Sequence, residues 1–115
     1  MSRLTPNRGE VWLVDLGATR GHEQGGVRPS VVVSANRFNR SGAGLALVVP
    51  TTTATQRISL RIVINQPEGG VRRTSFIKCE DIRSIASERL IERWGQVSDR
   101  TMALVEDRLR ALLDL

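Results

Sequence analysis

The sequence is poor in the residues from which many enzyme sites are built. It holds one cysteine, Cys79, one histidine, His22, and no tyrosine. A lone cysteine excludes an intrachain disulfide and a cysteine metal cluster. A lone histidine has no partner at helical spacing, so carboxylates would have to complete any metal site. Long apolar runs are missing as well. The longest is Leu45–Val49, against the roughly 18 residues that indicate a membrane span. The first thirty residues interleave Arg3, Arg8, Glu10, Asp15 and Arg20 among short apolar stretches. Neither a signal peptide nor a transit peptide is expected there, and the expected location is the cytoplasm, with no membrane partner. Lys78 is the only lysine, so arginine carries almost all of the positive charge.

What is present describes a single small domain. A chain of 115 residues has room for one hydrophobic core, since domains usually need roughly 100 residues or more. Residues 1–115 are therefore read as one domain. With 40% hydrophobic and 25% charged residues, the composition is that of a globular chain rather than a disordered one. The formal net charge is +5 and the pI is about 11.2, which points to a polyanionic partner, most often nucleic acid. The charge is unevenly distributed. Residues 1–75 hold ten arginines against four acids, a net +6, whereas residues 76–115 are close to neutral. The basic surface belongs to the first two thirds.

Short runs rich in valine and isoleucine alternate with glycine-containing turns, the pattern of a tightly turned β structure. Strands are predicted over Glu10–Leu16, Arg28–Ala35, Leu45–Thr53, Leu60–Asn65 and Thr74–Cys79. Shorter ones are predicted at Ile82–Ile85 and Glu92–Val97. Asn36–Arg40 reads as a helical turn. Gly17–Val27 is a long glycine-rich loop, and loops of this length invite a functional explanation. The period then changes. Met102, Val105, Leu109 and Leu112 recur at intervals of three and four, marking one face of a terminal helix. Ser98 is its expected N-cap, with Val97 and Met102 placed as a hydrophobic staple.

Few side chains offer chemistry. His22 alone has an unperturbed pKa near neutrality, and it sits in the long loop beside Glu23. Cys79 lies between Lys78 and Glu80 in a setting that reads as structural rather than nucleophilic. Arg28-Pro29 is more informative. A residue before proline is forced towards extended backbone, so the Arg28 guanidinium leaves a stiff platform where the loop enters a strand. Thr51, Thr52 and Thr53 follow Pro50 at the end of another strand. An arginine fork and a threonine hydroxyl on neighbouring strand ends can hold a phosphate between them. The same threonines also suit a plain β-strand.

Four segments together carry a resemblance. They are R-G-E-V-W-L-V-D-L from Arg8, G-H-E-Q-G-G-V-R-P-S-V-V-V-S from Gly21, V-V-P-T-T-T from Val48 and K-C-E-D-I-R-S-I-A-S-E-R-L from Lys78. In this order the chain resembles the MazF/PemK toxins of bacterial toxin–antitoxin systems. The pairing of E-Q-x-x-x-R-P with V-P-x-T-T is the specific part.

The resemblance implies a mainly β, compact SH3-like barrel of the MazF/PemK/CcdB type with a C-terminal helix, acting as a homodimer. It implies a sequence-specific endoribonuclease that cuts single-stranded RNA, including mRNA, without metal or other cofactor. The products would carry a 2′,3′-cyclic phosphate and a 5′-hydroxyl. The family's catalytic arginine and threonine fall on Arg28 and Thr52. His22, Glu23, Gln24, Thr53 and Arg83 are expected to bind substrate, and His22 or Glu23 could act as general base. A cognate antitoxin with an acidic, flexible segment is the expected protein partner. Glu80-Asp81 departs from the family's usual Asp-Gln and bears on sequence preference. Two alternatives stay open. A CcdB-like toxin would bind gyrase without cutting RNA, but such proteins end in a Trp-Gly pair plus one residue, and here Trp94-Gly95 is internal. A non-catalytic, arginine-rich RNA-binding barrel would have only Trp12, Phe38, Phe76 and Trp94 for base stacking.

Overall fold

The computed structural model describes residues 5–18, 21, 23–55 and 61–115. Seven strands and two helices follow in the order β1 (Glu10–Asp15), β2 (Val27–Val32), α1 (Asn36–Asn39), β3 (Leu45–Thr52), β4 (Ile62–Ile64), β5 (Ser75–Ile77), β6 (Arg83–Ala86), β7 (Leu90–Gln96) and α2 (Asp99–Leu113). Single 3-10 turns at Glu68–Gly70, Cys79–Asp81 and Ser87–Arg89 link the later strands. The predicted elements are all present with shifted ends. Ser34 and Ala35 leave the sheet to start α1, and the strand expected over Leu60–Asn65 begins at Ile62, Leu60 itself lying outside the described residues.

All pairings are antiparallel, in the order β4-β5-β3-β2-β1-β7, with β6 also on β3. The long strand β3 organises this sheet. Its first half, Leu45–Val48, pairs with β6, and its end, Thr51–Thr52, pairs with β5. Val48, Val49 and Pro50 pair with β2 on the other edge. The 3-10 turn at Cys79–Asp81 breaks what would otherwise be one continuous neighbour into β5 and β6. The result is a mainly β half-barrel closed on one side by the C-terminal helix.

The runs of consecutive valines follow from burial on both sheet faces. Val11, Val31 and Val49 point into one cluster with Ile64, Ile77 and Val105. Their chain neighbours Trp12, Val32 and Val48 point into the other, with Val14, Ile85 and Leu90. A strand with one wet face would alternate apolar and polar residues. These strands do not.

Helix α2 covers the first cluster. Ser98 is its N-cap, accepting a hydrogen bond from the Thr101 N–H at 3.1 Å. The Glu68 carboxylate reinforces the cap, accepting from the Ser98 N–H at 3.0 Å and the Thr101 hydroxyl at 2.5 Å. Val97 and Met102 both pack in this cluster, as the staple requires. The predicted helix face holds for Met102, Val105 and Leu109 but not for Leu112, which is exposed. A 15-residue helix runs about 22 Å. It packs chiefly on a three-residue strand and a 3-10 turn, so its last turn outreaches them.

Candidate active site

Two proline-marked strand segments meet at the centre of the sheet. Ser30 of β2 lies opposite Pro50 of β3, which places Arg28-Pro29 beside Thr51-Thr52. Arg28, Thr52 and Thr53 line one pocket of about 260 Å³, joined by Val71, Arg72, Arg73, Ser75 and Trp94. Three of these residues are arginines, so the pocket carries positive charge without a single lysine.

The three threonines are not equivalent. Thr51 donates its hydroxyl proton to the Pro29 carbonyl at 2.7 Å and ties β3 to β2. The Thr52 hydroxyl instead accepts, from the Ala54 N–H at 3.1 Å. Among the described residues no acceptor takes its proton, which is left to be donated into the pocket. Thr53 is exposed at the rim. Thr52 itself is 4% exposed, and it lines the pocket.

Arg28 is half-buried, and its Nε donates to the Gly25 carbonyl at 2.8 Å. That bond aligns the guanidinium and leaves the two terminal amino groups for a ligand, as far as the described residues go. A planar fork held in this way suits a tetrahedral oxyanion.

The other predicted site residues are placed differently. Gln24 and Arg83 do not line the pocket; they are bonded to each other. The Arg83 guanidinium donates to the Gln24 carbonyl at 2.8 Å and pairs with the Asp81 carboxylate at 2.7 Å. Asp81 in turn accepts from the Gln24 N–H at 2.6 Å. The carboxylate that departs from the family pattern thus anchors the glycine-rich loop one residue before the carbonyl that holds Arg28. Glu23 is exposed on the same loop, and His22 lies outside the described residues. Glu80 and Asp81 belong to the 3-10 turn between β5 and β6, with Glu80 exposed and Asp81 turned inward.

Cys79 is buried, and burial pushes its thiol up to about 11. It stays protonated near neutral pH and is not a nucleophile. Among the described residues, no three His, Cys, Asp or Glu side chains come together as a metal cluster, and no helix is long and apolar enough to cross a membrane.

Sequence reasoning missed Arg72 and Arg73, and named Trp94 only as a stacking residue of the alternative RNA-binding barrel. The Arg72 guanidinium lies over the Trp94 ring at 4.5 Å from its centroid. The available signal was an arginine pair one residue after a Gly-Gly turn, with Val71 between them. Nothing local ties that pair to Trp94 or to the Arg28 strand.

Known proteins resemble this chain over nearly its whole length. Residues 7–113 match a family described as the PemK-like, MazF-like toxin of type II toxin–antitoxin system. A relative from Mycobacterium tuberculosis, Endoribonuclease MazF9, is 38% identical over 113 residues, covering 94% of this chain and 96% of that protein. The crystal structure of MazF from Deinococcus radiodurans superposes with a TM-score of 0.84 at 24% identity, covering 97% of this chain and 99% of the other. An endoribonuclease in complex with its cognate antitoxin, from a mycobacterial species, superposes with a TM-score of 0.76 at 24% identity, covering 96% and 95%.

Proposed function

The chain belongs to the PemK-like, MazF-like toxins of type II toxin–antitoxin systems, and from that membership we propose that it is an endoribonuclease cutting single-stranded RNA at the Arg28–Thr52 pocket. The observation that carries this reading is the pairing of an oriented guanidinium with an uncommitted hydroxyl proton in one basic pocket. In such a reaction the RNA supplies its own nucleophile. The 2′-oxygen gives up its proton and forms a bond to phosphorus as the bond to the 5′-oxygen breaks, and the departing oxygen takes up a proton from Arg28 or water, leaving a 2′,3′-cyclic phosphate and a 5′-hydroxyl. The protein's task is then to hold the phosphate and to stabilise the extra negative charge of the transition state. Arg28 does so with a permanent cation, and Thr52 donates one hydrogen bond. A guanidinium stays protonated and is a poor base. The base that takes the 2′-hydroxyl proton is His22 or Glu23, both in the Gly17–Val27 segment of the sequence.

The same basic face fits an acidic, flexible antitoxin segment, and the working form is a cytoplasmic homodimer. An antitoxin segment that folds on binding would cover the guanidiniums with its carboxylates, and its association should weaken with salt. The decisive experiment is incubation of the purified protein with single-stranded RNA in EDTA, followed by chemical mapping of the ends. Cleavage to 2′,3′-cyclic phosphate and 5′-hydroxyl ends is expected. Loss of activity in EDTA with rescue by magnesium would overturn the mechanism.

A further inference from the structure

The pocket that holds Arg28 and Thr52 has a second feature that holding a phosphate does not require. Arg72 rests over the indole of Trp94, 4.5 Å from the ring centroid, and both line the pocket that holds Arg28 and Thr52. The backbone behind Trp94 is locked. At Gly70 a Cβ would lie 2.2 Å from the Trp94 carbonyl oxygen, and at Gly95 a Cβ would lie 2.7 Å from the Gly69 carbonyl carbon. The indole Nε1 donates to Glu92 at 3.0 Å, which fixes the ring's orientation. Trp12, the only other tryptophan, is buried in the second core cluster with its Nε1 spent on Glu10, and cannot play this part.

An exposed arginine on its own is a mobile charge. Laid on an aromatic face, it becomes an oriented plane. Such planes, like aromatic rings, stack unpaired bases of single-stranded RNA. Pro29 and Val71 add apolar walls, which suit a base rather than a second phosphate. The volume of about 260 Å³ is below the roughly 300–1,000 Å³ of sites for drug-sized ligands.

Building on the RNA-cleavage reading, we propose that Arg72, backed by Trp94, is a stacking platform for the nucleobase next to the scissile phosphate. A π-face is common to all four bases, so the platform tightens binding with little choice among them. Sequence selection must then come from elsewhere in the groove.

The test uses the full chain and an RNA blocked by a 2′-deoxy sugar at the cut position, intact or with an abasic nucleotide on either side of the cut. Affinities are measured for the unsubstituted protein, Arg72→Lys and Trp94→Leu. The unsubstituted protein should lose on the order of 10-fold in affinity when one flanking base is removed. Arg72→Lys keeps the charge and loses the plane. It should bind intact RNA on the order of 10-fold more weakly, and removing the base should cost it little more. Trp94→Leu should behave alike, and if it does not fold, Arg72→Lys decides alone, because Arg72 is exposed. Equal weakening of intact and abasic RNA by Arg72→Lys would mean a phosphate contact and overturn the platform. So would an unchanged affinity on removal of either base. In both cases, cleavage that Arg28→Ala abolishes would still uphold the nuclease reading. No RNA cleavage by the unsubstituted protein would overturn that reading and the platform with it.

Discussion

Asp81 and Arg83 grip the main chain of Gln24 from both ends of the residue, the carboxylate on its N–H and the guanidinium on its carbonyl, while pairing with each other at 2.7 Å. The next carbonyl along the chain, that of Gly25, holds the Arg28 side chain. A two-residue device in the 3-10 turn and β6 therefore sets the loop that orients the guanidinium of the pocket.

Removing Asp81 should cost stability first. Both side chains of the pair are largely buried, and an unpaired buried polar partner costs about 1–3 kcal/mol. Asp81→Ala should lower the unfolding free energy by about that amount, as read from urea denaturation. Asp81→Asn keeps an acceptor for the Gln24 N–H and should lose less.

Arg28→Ala should slow RNA cleavage by on the order of 10²-fold or more, as when a preorganised charge-stabilising group is removed. Arg28→Lys should also be poor, because a point charge does not reproduce the planar fork. Thr52→Ala should fall less far, since a neutral donor contributes less than a charged one. Single-turnover cleavage of one RNA by the three variants checks this order. A Thr52→Ala variant slower than Arg28→Ala would contradict it.

Two glutamates make the fold sensitive to acid. At Glu10, burial opposes ionisation. It is outweighed by hydrogen bonds from the Asn7 N–H, Trp12 and Arg93, which hold the carboxyl below its ordinary value of 4.5. At Glu68 burial is likewise outweighed, by the Thr101 hydroxyl and then by the N–H and hydroxyl of Ser98. A carboxylate with a lowered folded pKa contributes stability that is complete above its unfolded value and disappears as pH falls through the folded one. Unfolding midpoints should therefore drop below about pH 4.5, the usual range for glutamate. Glu10→Gln and Glu68→Gln should each be less stable at neutral pH and show a shallower acid loss. Urea midpoints measured across this pH range are the check, and unchanged slopes in both variants would refute it.

Gly70 and Gly42 separate two costs of adding a methyl group. Both have positive φ, +75° and +86°, but a Cβ at Gly42 meets nothing, whereas one at Gly70 runs into the Trp94 carbonyl. Gly42→Ala should cost about 1–2 kcal/mol for the left-handed backbone. Gly70→Ala should add about 1–3 kcal/mol for overpacking. Thermal or urea unfolding of the two variants measures the difference. Equal losses would mean that the approach of Gly70 to β7 is not tight in solution.

The local signals were legible because they depend on neighbours in the chain. Valine-rich runs between glycine turns marked the strands, and a period of three to four residues marked α2. Ser98 could be named as a cap because capping is a local hydrogen bond. The strand ends were less legible. Pairing, not composition, decides where a strand stops, as when Ser34 and Ala35 leave β2 for α1.

Arg28 and Thr52 were found through motifs and the stiffness that proline imposes on its predecessor, and family membership followed from the same segments. The sequence by itself thus determined a basic, mainly β fold, its terminal helix, its family and the two leading candidates of its site. Only the tertiary structure decided what surrounds them. It separated Thr51 from Thr52 by the direction of their hydrogen bonds. It brought Asp81 to Gln24 across 57 residues of chain, and laid Arg72 on Trp94 in the same pocket. The reason is physical: a strand's sequence sets which face each side chain takes. Which strand lies alongside is settled by burying both faces of the sheet at once, and that condition exists only in the folded whole.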